Sequence, residues 1–510
     1  MIAGQDVSSA TSPLPRGVRR AMDAMRANVG HNWRLTELAA IAGVSGRTLQ
    51  RQFLAFVGKT PRAVLREIGF ECARRELLQG ADAKIMDVAL RCGFPHCGRF
   101  SIEYRRRYGE TPSQTLKRQA VFTASLAAMP SLFVPARDRP AVAFGPIEAS
   151  AENLEVAADI ADDLVSALTR AGTSVATRPG AVRYLLTGAI RGSGAEARLT
   201  FRLIDTETGS QLWAHRADGI LHDETTTGEH LAVRIAAALQ PCLRMAEIDR
   251  ALRKPATCLN AHDLALRAMP GVLSLDADGN ARALELLERA MDEDPNHPLA
   301  TALAAWAHVQ RVVYHFTHEP LEERARSLEL AHKARALCGD ATVLAVLGNA
   351  LTLLKEFDTA DLVIRKALAI DGGSAWAWSR SGWLDVYKGN PQSAIERFKI
   401  ALDLAPHDPL AFNSMVGIGC AHFNAGHYAE AANWQERALI EHPSASWVHR
   451  TMCPAYVLAG QGPQARRSLS ALRQHYPDLT VSEVQGGMPP LPPSQCDLVV
   501  GALQEAGLPA

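Results

Sequence analysis

The sequence predicts a multidomain, mainly α-helical protein: an all-α segment with two helix-turn-helix units, a small α/β domain, then an α-solenoid. Three observations predict it. Between residues 16 and 118, apolar positions recur at helical spacing and are broken by isolated glycines. Between about 141 and 250, short β-rich runs alternate with helical stretches. From about Ala261 onward, helical text repeats with a period near 34 residues. A length of 510 residues suits three or four domains at ~150 residues each. Hydrophobic residues at 47% and charged residues at 21% exclude a mostly disordered or collagen-like chain. The expected division is a disordered tail over 1–18, the all-α segment over 19–119 and a linker over 120–137. The α/β domain follows over 138–250, the repeats over 255–480 and a capping segment over 481–510.

In the all-α segment, Leu35 to Val57 reads LTELAAIAGVSGRTLQRQFLAFV. Thr36 is placed to cap a short helix containing Leu38, Ala39 and Ile41. Gly43 permits a tight turn, and Ser45 is a good N-cap for the next helix. There Leu49, Phe53 and Phe56 form one apolar stripe, while Arg47, Gln50 and Arg51 lie on the opposite face. Two short helices with a glycine turn fit a motif whose second helix enters the DNA major groove. Arg can bond guanine bidentately and Gln adenine, so that face can read bases. Thr60 and Pro61 start a linking helix whose apolar face is Leu65, Ile68, Cys72 and Ala73. A second unit follows in KIMDVALRCGFPHCGRFSIEYRRRYGETP: Ile85, Val88 and Ala89, a turn at Gly93, then a stripe of Phe100 and Tyr104.

The text LAAIAGVSGRTLQRQF, RELL, IMDVALRCGF and FSIEYRRRYGETPSQ resembles the DNA-binding domain of the AraC/XylS family of bacterial transcription regulators, over residues 19–119. The resemblance implies two recognition helices in successive major grooves, ~34 Å apart. It carries base-facing roles to Arg47, Gln50 and Arg51 in the first unit and to Gly98, Ser101 and Ile102 in the second. Members often have Arg where Ile102 stands, so the second reader looks poor in base-edge hydrogen bonding. It positions the protein through phosphate contacts from Arg105 and Arg106, with Cys97 or Ile102 against a thymine methyl.

Further along, AVAFGPI has strand character, and Ile160, Leu164 and Leu168 mark a helix. Three β-rich runs form a meander, turning at Gly192-Ser193-Gly194 and at Thr208-Gly209, and Leu231 to Ala251 is helical. The run YLLTGAIRGSGAEARLTFRLIDTETGSQLWAHRADG resembles TolB N-terminal or FlgO-like domains, which occur beside repeat arrays in bacterial signalling proteins. In the repeats, Ala360, Ile364 and Ala367 recur as Ala394, Phe398 and Ala401, then as Ala431, Gln435 and Ala438. Pro406, Pro443 and Pro477 close units, Trp378 and Gly382 fall in one first helix, and Ala283, Leu287, Ala290 and Pro295 match an earlier copy. The unit around Ser327 to Gly339 is degenerate. The pattern resembles the tetratricopeptide repeat (TPR), implying five or six stacked helical hairpins and a concave face. DLVVGALQEAGL predicts a closing helix.

Formal net charge is zero, yet residues 14–120 carry 20 Lys+Arg against 9 Asp+Glu, a balance of +11; the remainder carries 34 against 45, or −11. Such asymmetry marks a polyanion-binding module at one end. The acidic remainder is expected to compete with DNA for it. Removing residues 130–510 should therefore tighten non-specific DNA binding, most at low salt; an unchanged affinity would make the balance coincidental. Nine scattered cysteines argue for a reducing compartment rather than a disulfide framework. The first residues lack the apolar core of a signal peptide. The apolar run from Ala120 to Ala136 is short and broken by Pro130, and reads as linker rather than span.

Rival chemistries find little support. Cys92, His96 and Cys97 lack an evident fourth ligand for a metal, and Cys92 reads as a core residue rather than a thiol switch. Gly192 and Gly194 sit in a hairpin, not in a phosphate loop. Trp306, Trp376, Trp378, Trp383, Trp434 and Trp447 read as interhelix packing rather than a ligand cage, and His222 and His230 as surface residues. No catalytic constellation, cofactor or metal is expected, so the chain reads as non-enzymatic. The expectation is a cytoplasmic regulator of double-stranded DNA. Its later domains sense a protein or small-molecule effector and bias DNA binding or RNA polymerase contact. The alternative is a TPR scaffold recruiting a protein partner, with DNA binding secondary.

Overall fold

The computed structural model describes residues 15–31, 33–57, 59–79, 84–108, 111–117, 141–176, 182–192, 198–218, 228–337 and 339–509. The linker over 120–137, the residues 193–194 of the first hairpin turn, His222 and nearly all of the tail over 1–18 lie outside them. The chain forms two compact units, Met1–Met129 and Pro130–Ala510.

The first unit contains α1 (Arg16–Ala27), α2 (Leu35–Ala42), α3 (Gly46–Val57), α4 (Pro61–Gln79), α5 (Ile85–Arg91), α6 (Cys97–Tyr108) and a helix α7 over 112–117. Two small cores share α4. Val18, Ala21 and Met25 of α1 pack with Leu38, Ala39, Leu49, Phe53 and Val64. Phe70, Ala73 and Leu77, further along α4, pack with Val88, Ala89, Phe100 and Tyr104. The linking helix therefore buries different residues towards each end, and Leu65, Ile68 and Cys72 are only partly covered.

In the second unit, β1 (Ala141–Glu148), α8 (Leu154–Arg170), β2 (Ser174–Ala176), β3 (Tyr184–Arg191), β4 (Arg198–Asp205), β5 (Gln211–Asp218) and α9 (Gly228–Arg253) form the α/β part. The sheet order is β2-β1-β3-β4-β5; β1 runs parallel to β2 and β3, and β3, β4 and β5 are antiparallel, the expected meander. Strand β2 is too short to signal itself in sequence. Pro146 cannot donate to the ladder, and the β1–β3 register shifts between Phe144 and Ile147. Ile160, Leu164 and Leu168 of α8 and Leu231, Ile235 and Leu239 of α9 pack on the alternate buried residues of the strands, among them Leu186, Phe201 and Leu203.

Six helical hairpins follow among the described residues. They are α10 (Ala261–Leu273) with α11 (Ala277–Glu293), α12 (Pro298–Val313) with α13 (Pro320–Leu337), and α14 (Ala341–Leu353) with α15 (Phe357–Ile370). Then come α16 (Ala375–Tyr387) with α17 (Pro391–Leu404), α18 (Ala411–Asn424) with α19 (Tyr428–Glu441), and α20 (His449–Leu458) with α21 (Gly462–His475). Helices α22 (Val481–Gly486) and α23 (Pro493–Ala506) end the array, the latter being the expected closing helix. The first helices of the hairpins from α10 to α18 touch one another in series, as in a solenoid.

The repeated positions have a packing cause. Gly348, Gly382 and Gly419 each lie against the residue 16 positions later: Ile364, Phe398 and Gln435. A Cβ on the three glycines would stand 2.4, 2.8 and 2.7 Å from those side chains. A large residue of α15, α17 and α19 thus seats on bare backbone of the preceding helix, so the same packing contact recurs in these three units.

The sequence separates residues 138–250 from 255–480, but the structure makes them one unit. Helix α9 packs on α8 and also touches α10 and α17. Arg244 of α9 pairs with the buried Asp408 and lies 4.1 Å from the Trp376 ring centre, and Trp376 Nε1 donates to the same carboxylate at 3.0 Å. These partners are more than 130 residues from Arg244, a separation that no local pattern reveals.

Candidate nucleic-acid interface

Each helix-turn-helix is built locally. Gly43 has φ +70° and Gly93 φ +83°, the left-handed conformation that lets α2 and α5 stop and the chain turn at once. Ser45 Oγ accepts from Thr48 N–H at 3.2 Å, as its N-cap role requires. At α4, Thr60 Oγ1 accepts from Ala63 N–H at 3.3 Å, with Pro61 in the first turn. One cap differs from expectation. Helix α2 begins at Leu35, so Thr36 lies inside it; Glu37 Oε2 instead accepts from Arg34 N–H at 3.1 Å. That bond, followed by the His31 ring, holds the Glu37 carboxyl below its ordinary value.

On α3, Leu49 and Phe53 are fully buried, whereas Phe56 is 45% exposed. The core at that last turn is completed by Val57 with Leu65 and Ile68 of α4, which leaves Phe56 outside. The opposite face presents Arg47, Gln50 and Arg51, all exposed. Leu54, 53% exposed, extends this face at i+7 from Arg47. Sequence reading missed Leu54. Its signal was the helical offset from Arg47 and its place outside the Leu49–Phe53 stripe.

On α6, Phe100 and Tyr104 are buried and join an aromatic column with Phe70, Phe94 and Tyr108. Gly98, Ile102, Arg105 and Arg106 share the outer face, with Ile102 72% exposed. Space around Gly98 is open, so this face is low and can approach a surface closely. Cys97 and Ser101 sit at the border, half-buried, and Ser101 Oγ donates to Cys97 O at 2.9 Å. The structure thus groups four of the six predicted α6 residues and sets Cys97 and Ser101 aside. Arg99, not singled out in the sequence, is 78% exposed beside this face, 3.8 Å from Glu103.

Ion pairs explain where positive charge stays free. Glu67, Glu71, Glu76 and Glu103 take Lys59, Arg66, Arg91, Arg99 and Arg107. Arg47, Arg51, Arg105 and Arg106 enter no ion pair among the described residues. The two outward helix faces therefore keep their cations available for phosphates or bases.

Cys92 does not group with His96 and Cys97. Its thiol, 2% exposed as a residue, points to Cys72 and Glu76, and these three are the residues close enough to share an ion among the described ones. Cys92 Sγ lies 3.7 Å and Cys72 Sγ 3.9 Å from Glu76 Oε1. Burial, then the neighbouring Cys72, pushes the Cys92 thiol well above its usual range.

Residues 38–118 match the family model described as a helix-turn-helix domain. Over 106 residues the chain is 37% identical to the "Probable thc operon regulatory protein" of Rhodococcus erythropolis, covering 20% of this chain and 32% of that one. Over 102 residues it is 36% identical to "XylDLEGF operon transcriptional activator 1" of Pseudomonas putida, covering 20% and 31%. A crystal structure of an AraC-type DNA-binding-domain transcriptional regulator from Chromobacterium violaceum matches at 30% identity. It covers 20% of this chain and 92% of that one, with a TM-score of 0.20. The N-terminal region is an AraC/XylS-type helix-turn-helix domain. The chain spans about a third of the length of the two curated relatives. The helical array has tetratricopeptide-type neighbours; one, from Parabacteroides merdae, is 16% identical over 48% of this chain and 93% of its own, with a TM-score of 0.29. No helix among the described residues is long and apolar enough to cross a membrane.

Proposed function

We propose that the chain is a sequence-specific, DNA-binding transcription regulator of AraC/XylS type, reading double-stranded DNA with α3 and α6 in successive major grooves. The observation that carries this reading is the pair of outward helix faces whose arginines make no ion pair among the described residues. Helix α3 supplies base reading through Arg47, Gln50 and Arg51, with Leu54 available to a thymine methyl. Helix α6 mainly positions the protein through Arg105 and Arg106, its Gly98–Ile102 surface offering shape and apolar contact. The α/β part, read as TolB- or FlgO-like, and the repeats act as an effector-sensing portion that biases DNA binding or polymerase contact. The reading places the protein in the cytoplasm and assigns it no catalytic step; nucleotide turnover by purified protein would overturn that last point.

Mapping binding sites across the genome, then titrating the full chain on the strongest site at several salt concentrations, tests the proposal. Affinity should fall steeply with salt. Replacing both Arg105 and Arg106 by Ala should weaken cognate and random DNA by similar factors and reduce the salt slope by about 2, one per phosphate contact. A loss confined to the cognate site would reassign these residues to base reading. No preferred site at any salt would sink the proposal.

A further inference from the structure

The first helices of the repeats line a concavity that is partly open to solvent. It is lined from α12 to α20 and bordered by the loop before α23, through Met488, Pro489 and Leu491. Its walls carry Trp306, Tyr314, Trp383, Tyr387 and Trp447, so three tryptophans read from sequence as separate packing residues line one space.

Two guanidinium groups also line it, Arg380 and Arg450, each only 4% exposed. Neither forms a salt bridge among the described residues. Arg380 Nη1 donates to Asn349 Oδ1 and Asn413 Oδ1, both at 3.2 Å. Arg450 Nη1 donates to Val313 O at 2.7 Å and to His315 Nε2 at 2.8 Å. Burial, then the Arg450 charge, lowers His315 to about 3, which keeps its ring neutral and able to accept. Asp408, the carboxylate that acts on Arg380 electrostatically, is bonded to Arg244 and Trp376. Burial lowers Arg380 to about 10.

Among the described residues, three buried polar atoms of lining residues have no hydrogen-bond partner: Arg380 Nη2, Arg450 Nε and Trp447 Nε1. All three are N–H donors. Burying a charge without a counter-charge is costly, and an unmade buried hydrogen bond adds to that cost. One occupant answers both: a group that brings negative charge and several acceptors. The aromatic walls suit a flat apolar body behind it.

We propose that this cavity binds a small organic anion, a carboxylate or phosphate group carried on a flat apolar body. The site deepens the effector-sensing part of the proposed function, but binding is measured without DNA, so either reading can fail alone. The full chain is titrated calorimetrically with 1-naphthoate, 1-naphthyl phosphate and the neutral 1-naphthylmethanol. At least one anion should bind ten-fold or more tightly than the alcohol, and the better of the two distinguishes carboxylate from phosphate recognition. Arg380→Gln and Arg450→Gln should each weaken that anion at least ten-fold. Arg380→Lys, which keeps the charge, should retain more affinity than Arg380→Gln, guarding against a merely structural loss. The proposal falls if neither anion outbinds the alcohol. It also falls if anion binding survives in both Gln variants, or if only an acidic peptide binds.

Discussion

Arg51→Ala weakens binding to the cognate site by about 1–3 kcal/mol, roughly 5- to 150-fold, and relaxes sequence preference at the base pair it reads. Arg51 is exposed on α3, one turn from Arg47, on the face opposite Leu49 and Phe53. No carboxylate among the described residues pairs with it, so no internal contact must break before it bonds a guanine edge. Because the side chain packs on nothing in the core, the variant should fold normally. Fluorescence anisotropy with cognate and scrambled duplexes at fixed salt separates the two terms. Equal losses on both duplexes would make Arg51 a phosphate contact.

The largest stability effect is expected at Phe398, where Phe398→Ala should cost about 3–5 kcal/mol. The ring is fully buried. It lies against the bare backbone of Gly382 and Gly417, and its centre is 5.6 Å from that of Trp383 in an edge-on contact. Helices α16, α17 and α18 therefore meet at one side chain, and the two glycines against it have no Cβ to fill the void. Urea unfolding followed by tryptophan fluorescence should show the transition moved to lower urea. A shift worth less than about 1 kcal/mol would mean that the glycine-lined seat collapses without cost.

Much of the DNA-binding domain was legible because its determinants are local. Turn glycines at 43 and 93, caps at Ser45 and Thr60 and the stripes Leu49–Phe53 and Phe100–Tyr104 act within a few residues. Arg47, Gln50 and Arg51 follow from the same offsets. One error arose where a neighbouring helix decides burial. Phe56 continued the stripe by spacing, but Val57 and α4 took its place. Ser101, which shares an offset with base readers, sits at the border of that face with its hydroxyl donated to its own helix backbone. Cys92, read as a core residue, is indeed buried, but its neighbours Cys72 and Glu76 come from α4 and were not legible from the adjacent sequence.

In the repeats, periodicity announced the hairpins through Ala394, Phe398 and Ala401 and their copies, since each unit solves the same packing problem. The joining of the α/β part to the array was hidden, because Arg244 meets Asp408 across 164 residues. The concavity was hidden for the same reason: Trp306 and Arg380 come from two different hairpins and Trp447 from the turn that precedes a third.

By itself the sequence determined the helix-turn-helix pair, the strand meander, the repeat period and the concentration of positive charge near the N-terminus. Each rests on residues close in the chain, whose side-chain period and backbone freedom fix local structure. Only the tertiary structure decided which arginines on the outer helix faces, and which two buried ones, form no salt bridge among the described residues. Pairing and desolvation depend on what lies across a packed interface, and that neighbour is set by the fold rather than by the adjacent sequence.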